Sequence, residues 1–294
     1  MDEKPKKQYW KYYKLTMAYA NNKIWYLMLL ALIPSVLISF IFSPYGTVEY
    51  LCQFDFFYQA TFVEIYAVTV GINYHLFWLG IIGLVLVPFF FSILFGAVER
   101  HMRVGEFNLG FDRVRSRLNY NFATALKFTM TIFVIYQVNK FLQATMFYLF
   151  CSTLVYGAAL ALSIIWYIIM FFIELFTLSV IILWVPTMLQ TGLNSAKALG
   201  LSVRQGIRYS PGTMLILMIP TLPMVIFMAV NSIFGLRIDV ILDTILLTIA
   251  SVFYVVLMYT MFFDINGVER EDLKKVDIWK KSRKKAKRRG KNGD

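Results

Sequence analysis

The chain has 294 residues, of which 59% are hydrophobic and only 16% are charged. Soluble domains are about half apolar and about a quarter charged, so this composition excludes an ordinary soluble fold. The apolar residues also form long blocks, such as Phe77–Val98 and Val240–Phe263. Since about 20 apolar residues are enough for a helix to cross a bilayer, we predict an all-α, polytopic membrane protein with about six transmembrane helices and additional interfacial amphipathic helices.

The net charge of +12 is also compatible with a nucleic-acid-binding protein. The basic residues, however, lie in short segments between the apolar blocks and in a tail that is tethered to them. We therefore expect no nucleic-acid partner. Anionic lipid headgroups are the partners that this charge pattern favours.

The N-terminal segment, residues 1–23, is basic and aromatic. It carries Lys4, Lys6, Lys7, Lys11, Lys14 and Lys23, interleaved with Trp10, Tyr12, Tyr13 and Tyr19. Amphipathic aromatic side chains favour the headgroup level, so Gln8–Asn22 is predicted to be an interfacial helix on the inner leaflet. The apolar run Ile24–Phe42 is longer than a signal-peptide core and is predicted to be the first span.

The segment Ser43–His75 contains no Lys or Arg, whereas Glu49, Asp55 and Glu64 lie within it. The positive-inside rule places such a segment on the exterior side. The second span is predicted at Leu76–Val98. The following segment, Glu99–Asn121, is predicted to be a cytoplasmic loop because it contains Arg100, Arg103, Arg113, Arg115 and Arg117.

The region Asn121–Gln190 is mostly apolar but is interrupted by polar residues. The next segment, Thr191–Gly212, is basic without any acidic residue and is predicted to be a cytoplasmic loop, so an even number of crossings must precede it. We predict a third span at Asn121–Tyr136 and a fourth within Ala159–Gln190. The polar stretch Gln137–Gln143 then lies near the exterior face, followed by a surface or partly buried helix within residues 144–158. In the alternative, the third span begins near Thr145 and a tight hairpin lies around Trp166.

The fifth span is predicted at Thr213–Ile233 and the sixth at Val240–Phe263, joined by an exterior turn around Gly235. Residues 24–263 would then form the membrane domain, and residues 264–294 a cytoplasmic tail. In this topology all Lys and Arg except Lys140 and Arg237 lie on the cytoplasmic side. We therefore expect a multi-pass plasma-membrane protein with both termini in the cytoplasm.

Glu174 stands alone in a long apolar stretch, between Ile173 and Leu175. An ionisable residue inside a membrane segment is costly and is by default a functional-site candidate. Glu174 is therefore predicted to bind a proton or a cationic substrate, or to pair with a neighbour. With Lys140 and Asn139 it forms the candidate intramembrane polar site.

The basic cytoplasmic residues form a second candidate set, for contacts with lipid headgroups or an acidic protein partner. This set comprises Arg113, Arg115, Arg117, Arg204, Arg208, Lys284, Lys285, Arg288 and Arg289. A solubilising, positively charged anchor without a partner is the alternative interpretation of the tail residues.

Motifs for catalysis and for cofactor or metal binding are missing from the sequence. The two histidines, His75 and His101, fall at opposite predicted membrane faces, and no HExxH, GxSxG, P-loop, GxGxxG or CxxC pattern occurs. We therefore expect no catalytic residues, no metal and no cofactor. Two cysteines, Cys52 and Cys151, exclude a disulfide framework; unpaired thiols are favoured, and one bridge is possible only if both face an oxidising exterior.

One stretch resembles a recurrent pattern in YesL-like bacterial membrane proteins. It consists of Trp184-Val185-Pro186, Asn194, Ala198-Leu199, Leu201-Ser202, Arg204, Pro211, Thr213 and Leu215. The pattern departs from the family where Ser195-Ala196-Lys197 separates Asn194 from Ala198, and in the segment Ser43–His75 and the basic tail. The resemblance implies a bacterial plasma-membrane protein that is an accessory to sugar ABC transport, and it supplies no catalytic residues.

Three functions follow as hypotheses. The first is a non-enzymatic accessory, assembly or scaffold subunit of a membrane complex, with a protein partner in the membrane or at its cytoplasmic face. The second is a small transporter or permease-like subunit whose path is lined by Glu174 and by the proline-containing fifth span. The third is a membrane enzyme that acts on lipids.

Overall fold

The computed structural model describes residues 8–40, 43–71, 77–105, 111–235 and 238–273. Within these ranges the chain is all-α and contains no strand, as the composition predicted. Ten helices follow in chain order: α1 (Gln8–Ser39), α2 (Gly46–Cys52), α3 (Phe54–Phe57), α4 (Phe62–Val70), α5 (Phe77–Val104), α6 (Phe111–Thr153), α7 (Tyr156–Ile181), α8 (Trp184–Thr191), α9 (Ser195–Phe234) and α10 (Asp239–Ile265).

Five helical stretches in the described part of the chain are long and apolar enough to cross a membrane: Tyr9–Ser39, Val85–Val104, Tyr156–Thr191, Ser195–Phe234 and Val240–Ile265. They coincide with the predicted first, second, fourth, fifth and sixth spans. The predicted third span lies inside α6, which is not among the five. Polar residues such as Lys140 lower the mean hydropathy of that helix.

The bundle is organised around α10. Its second half is buried almost all round, from Val252 to Phe263, which is typical of a helix at the centre of a helical bundle. The helices α1, α5, α8 and α9 all pack against it. The main hydrophobic core therefore lies where the cytoplasmic half of the bundle was predicted.

The helix α1 contains a kink at Lys23, whose φ and ψ of −130° and 18° are not helical. This kink falls at the predicted boundary between the interfacial helix and the first span. Residues 8–22 are more closely packed than a helix resting on lipid alone, because Tyr12, Thr16 and Tyr19 are buried against the bundle. The indole of Trp25, 84% exposed, points outward just after the kink.

The short helices α2, α3 and α4 correspond to the predicted exterior segment. They cover the end of the α6–α7 hairpin, where Tyr50 stacks on Phe147 with ring centroids 4.6 Å apart. The helix α4 begins with a capping box between Thr61 and Glu64 and ends at Gly71, which adopts a positive φ of 67°. These end signals explain why a separate short helix forms here.

The two segments predicted to be cytoplasmic loops are mostly helical. Within Thr191–Gly212, α9 begins at Ser195 and continues into the predicted fifth span. Within Glu99–Asn121, α5 ends at Val104 and α6 begins at Phe111. The alternative hairpin around Trp166 is wrong, because α7 runs through that residue and the chain turns instead at Leu154–Val155.

The helices α7 and α9 pack closely along a face of small residues on α9. A Cβ atom at Gly206 would lie 2.1 Å from the carbonyl oxygen of Val180, so only glycine allows this approach. Ser202, one turn earlier, donates a hydrogen bond to the same carbonyl oxygen. The contact orients the opposite face of α9, with Lys197, Arg204 and Arg208, outward.

Candidate functional site

Four polar side chains meet in the interior of the helical bundle, and we refer to them as the polar cluster: Thr47, Lys140, Gln143 and Glu174. Lys140 and Gln143 lie on α6, Glu174 lies on α7 and Thr47 lies on α2. Lys140 and Gln143 are three residues apart and therefore share one helix face. The antiparallel packing of α6 and α7 brings Glu174 opposite that face.

The ammonium of Lys140 has polar, charged and aromatic partners. It donates to the Thr47 hydroxyl at 2.9 Å and to Gln143 Oε1 at 3.4 Å. Glu174 Oε1 lies 3.8 Å from the Lys140 Nζ atom, and the ring centroid of Tyr136 lies 5.4 Å from it. A lysine that is buried to this extent requires such partners, since an isolated buried charge is costly.

The remaining contacts close the cluster on the side of α2. The Thr47 hydroxyl donates to Gln143 Oε1 at 2.7 Å, and Gln143 Nε2 donates to Glu174 Oε1 at 3.3 Å. Beside them, the Tyr136 hydroxyl donates to the carbonyl oxygens of Ser43 and Val70 at 3.2 and 3.1 Å. The segment that carries α2 to α4 is thus fastened to α6 next to the ion pair.

The ion pair is asymmetric in its exposure. The Lys140 side chain is 3% exposed, whereas the Glu174 side chain is 32% exposed. Both contacts of the carboxylate to the cluster are made by one oxygen, Oε1. Glu174 is therefore the member of the pair that remains accessible.

A cavity of about 360 Å³ lies beside the polar cluster, and we refer to it as the central cavity. The helices α2, α5, α6, α7, α9 and α10 all contribute to its wall. Its walls are mostly aromatic and aliphatic, and both Lys140 and Glu174 reach them. An apolar cavity of several hundred Å³ with a few convergent polar groups is the usual form of a small-molecule site.

Helical spacing explains how the sequence builds the cavity wall. On α7, Tyr167, Phe171, Glu174 and Leu178 recur every three or four residues and therefore line one face. On α6, Phe128, Ile132, Tyr136 and Lys140 recur every four residues and do the same. Each helix thus presents a stripe of aromatic and aliphatic side chains to the cavity. The stripe on α6 ends at Lys140, and the stripe on α7 contains Glu174.

A second cavity of about 230 Å³ adjoins the first between α5 and α6, and we refer to it as the side cavity. It shares Phe91, Phe128, Ile132 and Tyr136 with the wall of the central cavity. Met130, which is 47% exposed, also lines it. The side cavity therefore reaches from the central cavity to the outer surface of the bundle.

The predicted intramembrane polar site is partly assembled in the structure. Lys140 and Glu174 come together as an ion pair, as expected for a carboxylate that pairs with a neighbour. Asn139 is buried but belongs to neither the polar cluster nor the wall of the central cavity. Thr47 was missed, because its contacts join residues 93 and 96 positions apart in the chain and no local pattern marks them.

The basic candidates divide into two groups. Arg204 and Arg208 are exposed on the same face of α9, together with Lys197. Arg113, Arg115 and Arg117 lie in the first turns of α6, but their side chains lie outside the described part of the structure, as do Lys284, Lys285, Arg288 and Arg289 in the tail. Of the basic candidates, the structure therefore describes the side chains of Arg204 and Arg208, which share one exposed helix face.

The two cysteines are not paired with each other. The Cys151 thiol lies 3.3 Å from the Tyr50 hydroxyl. Partial burial raises the pKa of both the Cys52 and the Cys151 thiol, so both are poor nucleophiles at neutral pH. Among the described residues, no group of three or more His, Cys, Asp or Glu side chains is placed to hold a metal ion.

Comparison with protein-family models, with curated protein sequences and with solved structures found no match to this chain.

Proposed function

We propose that this chain is a small transporter or permease-like membrane protein that takes up an amphipathic ligand in its central cavity. The observation that supports this most directly is the cavity of about 360 Å³ whose wall includes the ion pair Lys140–Glu174. A charge pair is costly inside a membrane protein and is usually retained for function or for helix packing. Here part of the pair faces open space, which favours ligand binding over packing alone.

The same proposal includes six spans, with α6 as the third. The helix α6 packs between α5 and α7, which both contain membrane-span candidates. Its polar residues Lys140 and Gln143 point to the polar cluster and not to lipid, so its composition is compatible with a membrane location. Six crossings place both termini on one side, where the positive-inside rule favours the cytoplasm.

The cavity also lies where helices are able to bend. Pro220 lines it, and Pro211 and Pro223 lie in the same helix, α9. A proline removes one backbone hydrogen bond from a helix, and such residues are common bending points in membrane helices. A change in the bend of α9 would change the width of the central cavity.

The test is transbilayer movement of fluorescent amphiphiles in proteoliposomes. We would compare a panel of NBD-labelled short-chain lipids that differ in headgroup charge, using dithionite to report the fraction in the outer leaflet. Wild-type protein is expected to accelerate the movement of at least one member. Ala250→Phe, which places a ring in the central cavity, should abolish that movement.

The control is Ile249→Phe, which adds a ring to the preceding residue of α10, a residue that is not part of the cavity wall and is 40% exposed. It should move the probe as well as the wild type does. Equal rates in empty liposomes, wild type and Ala250→Phe would contradict a transport function.

A second candidate, an accessory subunit of a membrane complex such as an ABC-type transporter, is favoured by a different observation. The first half of α9 presents Lys197, Arg204 and Arg208 on one exposed face, at the end of the bundle predicted to be cytoplasmic. This face suits an acidic protein surface or anionic headgroups, and it includes Arg204 of the YesL-like pattern. Quantitative copurification from native membranes should then recover a stoichiometric partner that Arg204→Glu/Arg208→Glu releases.

A further inference from the structure

We infer that the ligand of the central cavity is a long-chain amphipathic cation, with its ammonium group beside Glu174 and its alkyl chain in the side cavity. This inference rests on the proposed function and adds the chemical class of the ligand. Three observations carry it: which charge is accessible, what surrounds that charge, and where an alkyl chain is able to lie.

The accessible charge in the central cavity is negative. Lys140 is nearly fully buried and already donates to Thr47 and Gln143, so an anionic ligand would find its ammonium occupied and shielded. Glu174 is about one-third exposed and uses one carboxylate oxygen for both of its cluster contacts. A carboxylate with free acceptor capacity binds an ammonium group through a short, charge-assisted hydrogen bond.

The surroundings of Glu174 also favour a cation. Tyr167 and Phe171 precede it on the same face of α7, and Tyr136 and Tyr254 face the cavity from α6 and α10. Aromatic faces attract cations through the quadrupole of the ring. They offer no such attraction to an anion.

The side cavity provides room for an apolar chain. It adjoins the central cavity through Phe91, Phe128 and Ile132 and reaches the bundle surface near Met130. With the exception of the Thr129 hydroxyl and the Tyr136 hydroxyl, its lining side chains are apolar. Transfer of a hydrocarbon chain from water to this apolar lining is favourable, and the gain is smaller when the chain comes from lipid.

The experiment measures binding of three probes with the same chain and different headgroups. Decylamine, decanol and decyl sulfate are titrated calorimetrically into the full-length protein in non-ionic detergent, with empty micelles as the blank. Decylamine is expected to bind at least ten-fold more tightly than either of the others. Glu174→Gln should weaken decylamine binding about ten-fold and leave decanol binding unchanged.

A matched variant tests the position of the chain. Thr129→Phe, in the side cavity, should weaken all three probes, whereas Val134→Phe, on the lipid-exposed face of the same helix, should weaken none. Thermal stability of both variants in detergent equal to that of the wild type shows that neither has unfolded.

The outcomes separate the two proposals. If decyl sulfate or decanol binds as tightly as decylamine, or if Glu174→Gln changes nothing, the cationic ligand class is wrong while a ligand-binding cavity remains. If no probe binds above the micelle blank and none of the NBD-labelled lipids is moved in proteoliposomes, the proposed function itself fails.

Discussion

Two ion pairs in the described part of this molecule, Arg270–Asp272 and Lys140–Glu174, have different surroundings. Arg270–Asp272 is closed: the side chains are 7% and 8% exposed, and two hydrogen bonds of 3.2 and 2.8 Å join the guanidinium to both carboxylate oxygens. Arg270 also donates to Thr260 and lies 5.9 Å from the ring centroid of Tyr19. Lys140–Glu174 is open, because its carboxylate faces a cavity and its ion-pair distance is 3.8 Å.

The contrast separates a structural pair from a candidate binding pair. A bidentate pair with every partner in place has little left to offer a ligand. Arg270 of this pair also contacts the ring of Tyr19 on α1, and Lys11 of α1 forms an ion pair with Asp264 near the end of α10. In the open pair, the Glu174 carboxylate still has capacity to accept a hydrogen bond from a ligand, because both of its contacts to the cluster use Oε1.

The largest expected effect follows from breaking the closed pair. Arg270→Met leaves the Asp272 carboxylate buried without its partner and should lower the free energy of unfolding by about 3–5 kcal/mol. The measurement is unfolding of the purified protein in mixed SDS micelles. Lys11→Met is the control, since its ion pair is largely exposed and such pairs contribute about 0–1 kcal/mol. Equal losses in the two variants would remove the distinction between closed and exposed pairs.

A smaller loss is expected at the open pair. Lys140→Met removes the donor to Thr47 and Gln143, and unsatisfied buried polar groups cost about 1–3 kcal/mol each. Glu174, however, is partly exposed and tolerates the loss of its partner better than Asp272 does. The double variant Lys140→Met/Glu174→Gln should therefore recover part of the loss. If the double variant is as unstable as the sum of both single variants, the two residues do not interact in the folded protein.

Glu174→Gln alone should change stability by about 1 kcal/mol or less, because the amide retains a hydrogen-bonding oxygen and the site is partly exposed. Its effect on ligand binding should be larger than its effect on stability. For Asp272→Asn we expect the reverse, a larger effect on stability than on ligand binding. The same SDS titration and calorimetry on both variants provide the comparison.

The smallest effect concerns a carboxylate that forms no ion pair with another described residue. Glu64 is exposed, and hydrogen bonds from the backbone and side chain of Thr61 lower its pKa. Because its pKa is lower in the folded state, Glu64 contributes stability above the unfolded-state pKa, and this contribution is lost as pH falls through the folded-state pKa. Glu64→Gln should remove this part of the acid sensitivity of α4. Hydrogen exchange of α4 amides, measured from pH 6 down to pH 3, reports it.

The sequence predicted the structure well for segments whose composition is set by contact with lipid. Long apolar runs such as Val240–Phe263 predicted the membrane helices, and the basic and aromatic residues around Lys23 predicted the break in α1. It did not show where the connecting segments are helical: Lys197, Arg204 and Arg208 lie on one face of α9 and not in an irregular loop. Charge tells on which side of a membrane a segment lies but not whether the segment is helical.

For the candidate site too, the sequence predicted some features and not others. Glu174 was recognisable because a carboxylate in an apolar run is rare. Its pairing with Lys140 was not derivable, since it depends on the turn at Leu154–Val155 and on the register of α6 against α7. The hydrogen bonds of Thr47 to Lys140 and Gln143 depend in addition on how α2 packs against α6 in the folded protein.

The kink at Lys23 has a further consequence for the shape of the surrounding bilayer. Between the kink and the end of α1 there are about 16 residues, or roughly 24 Å of helix. This is less than a hydrocarbon thickness of about 30 Å, whereas α10 has 27 residues and exceeds it. A span of this length beside a longer one is accommodated when α10 tilts or when the bilayer thins locally next to α1.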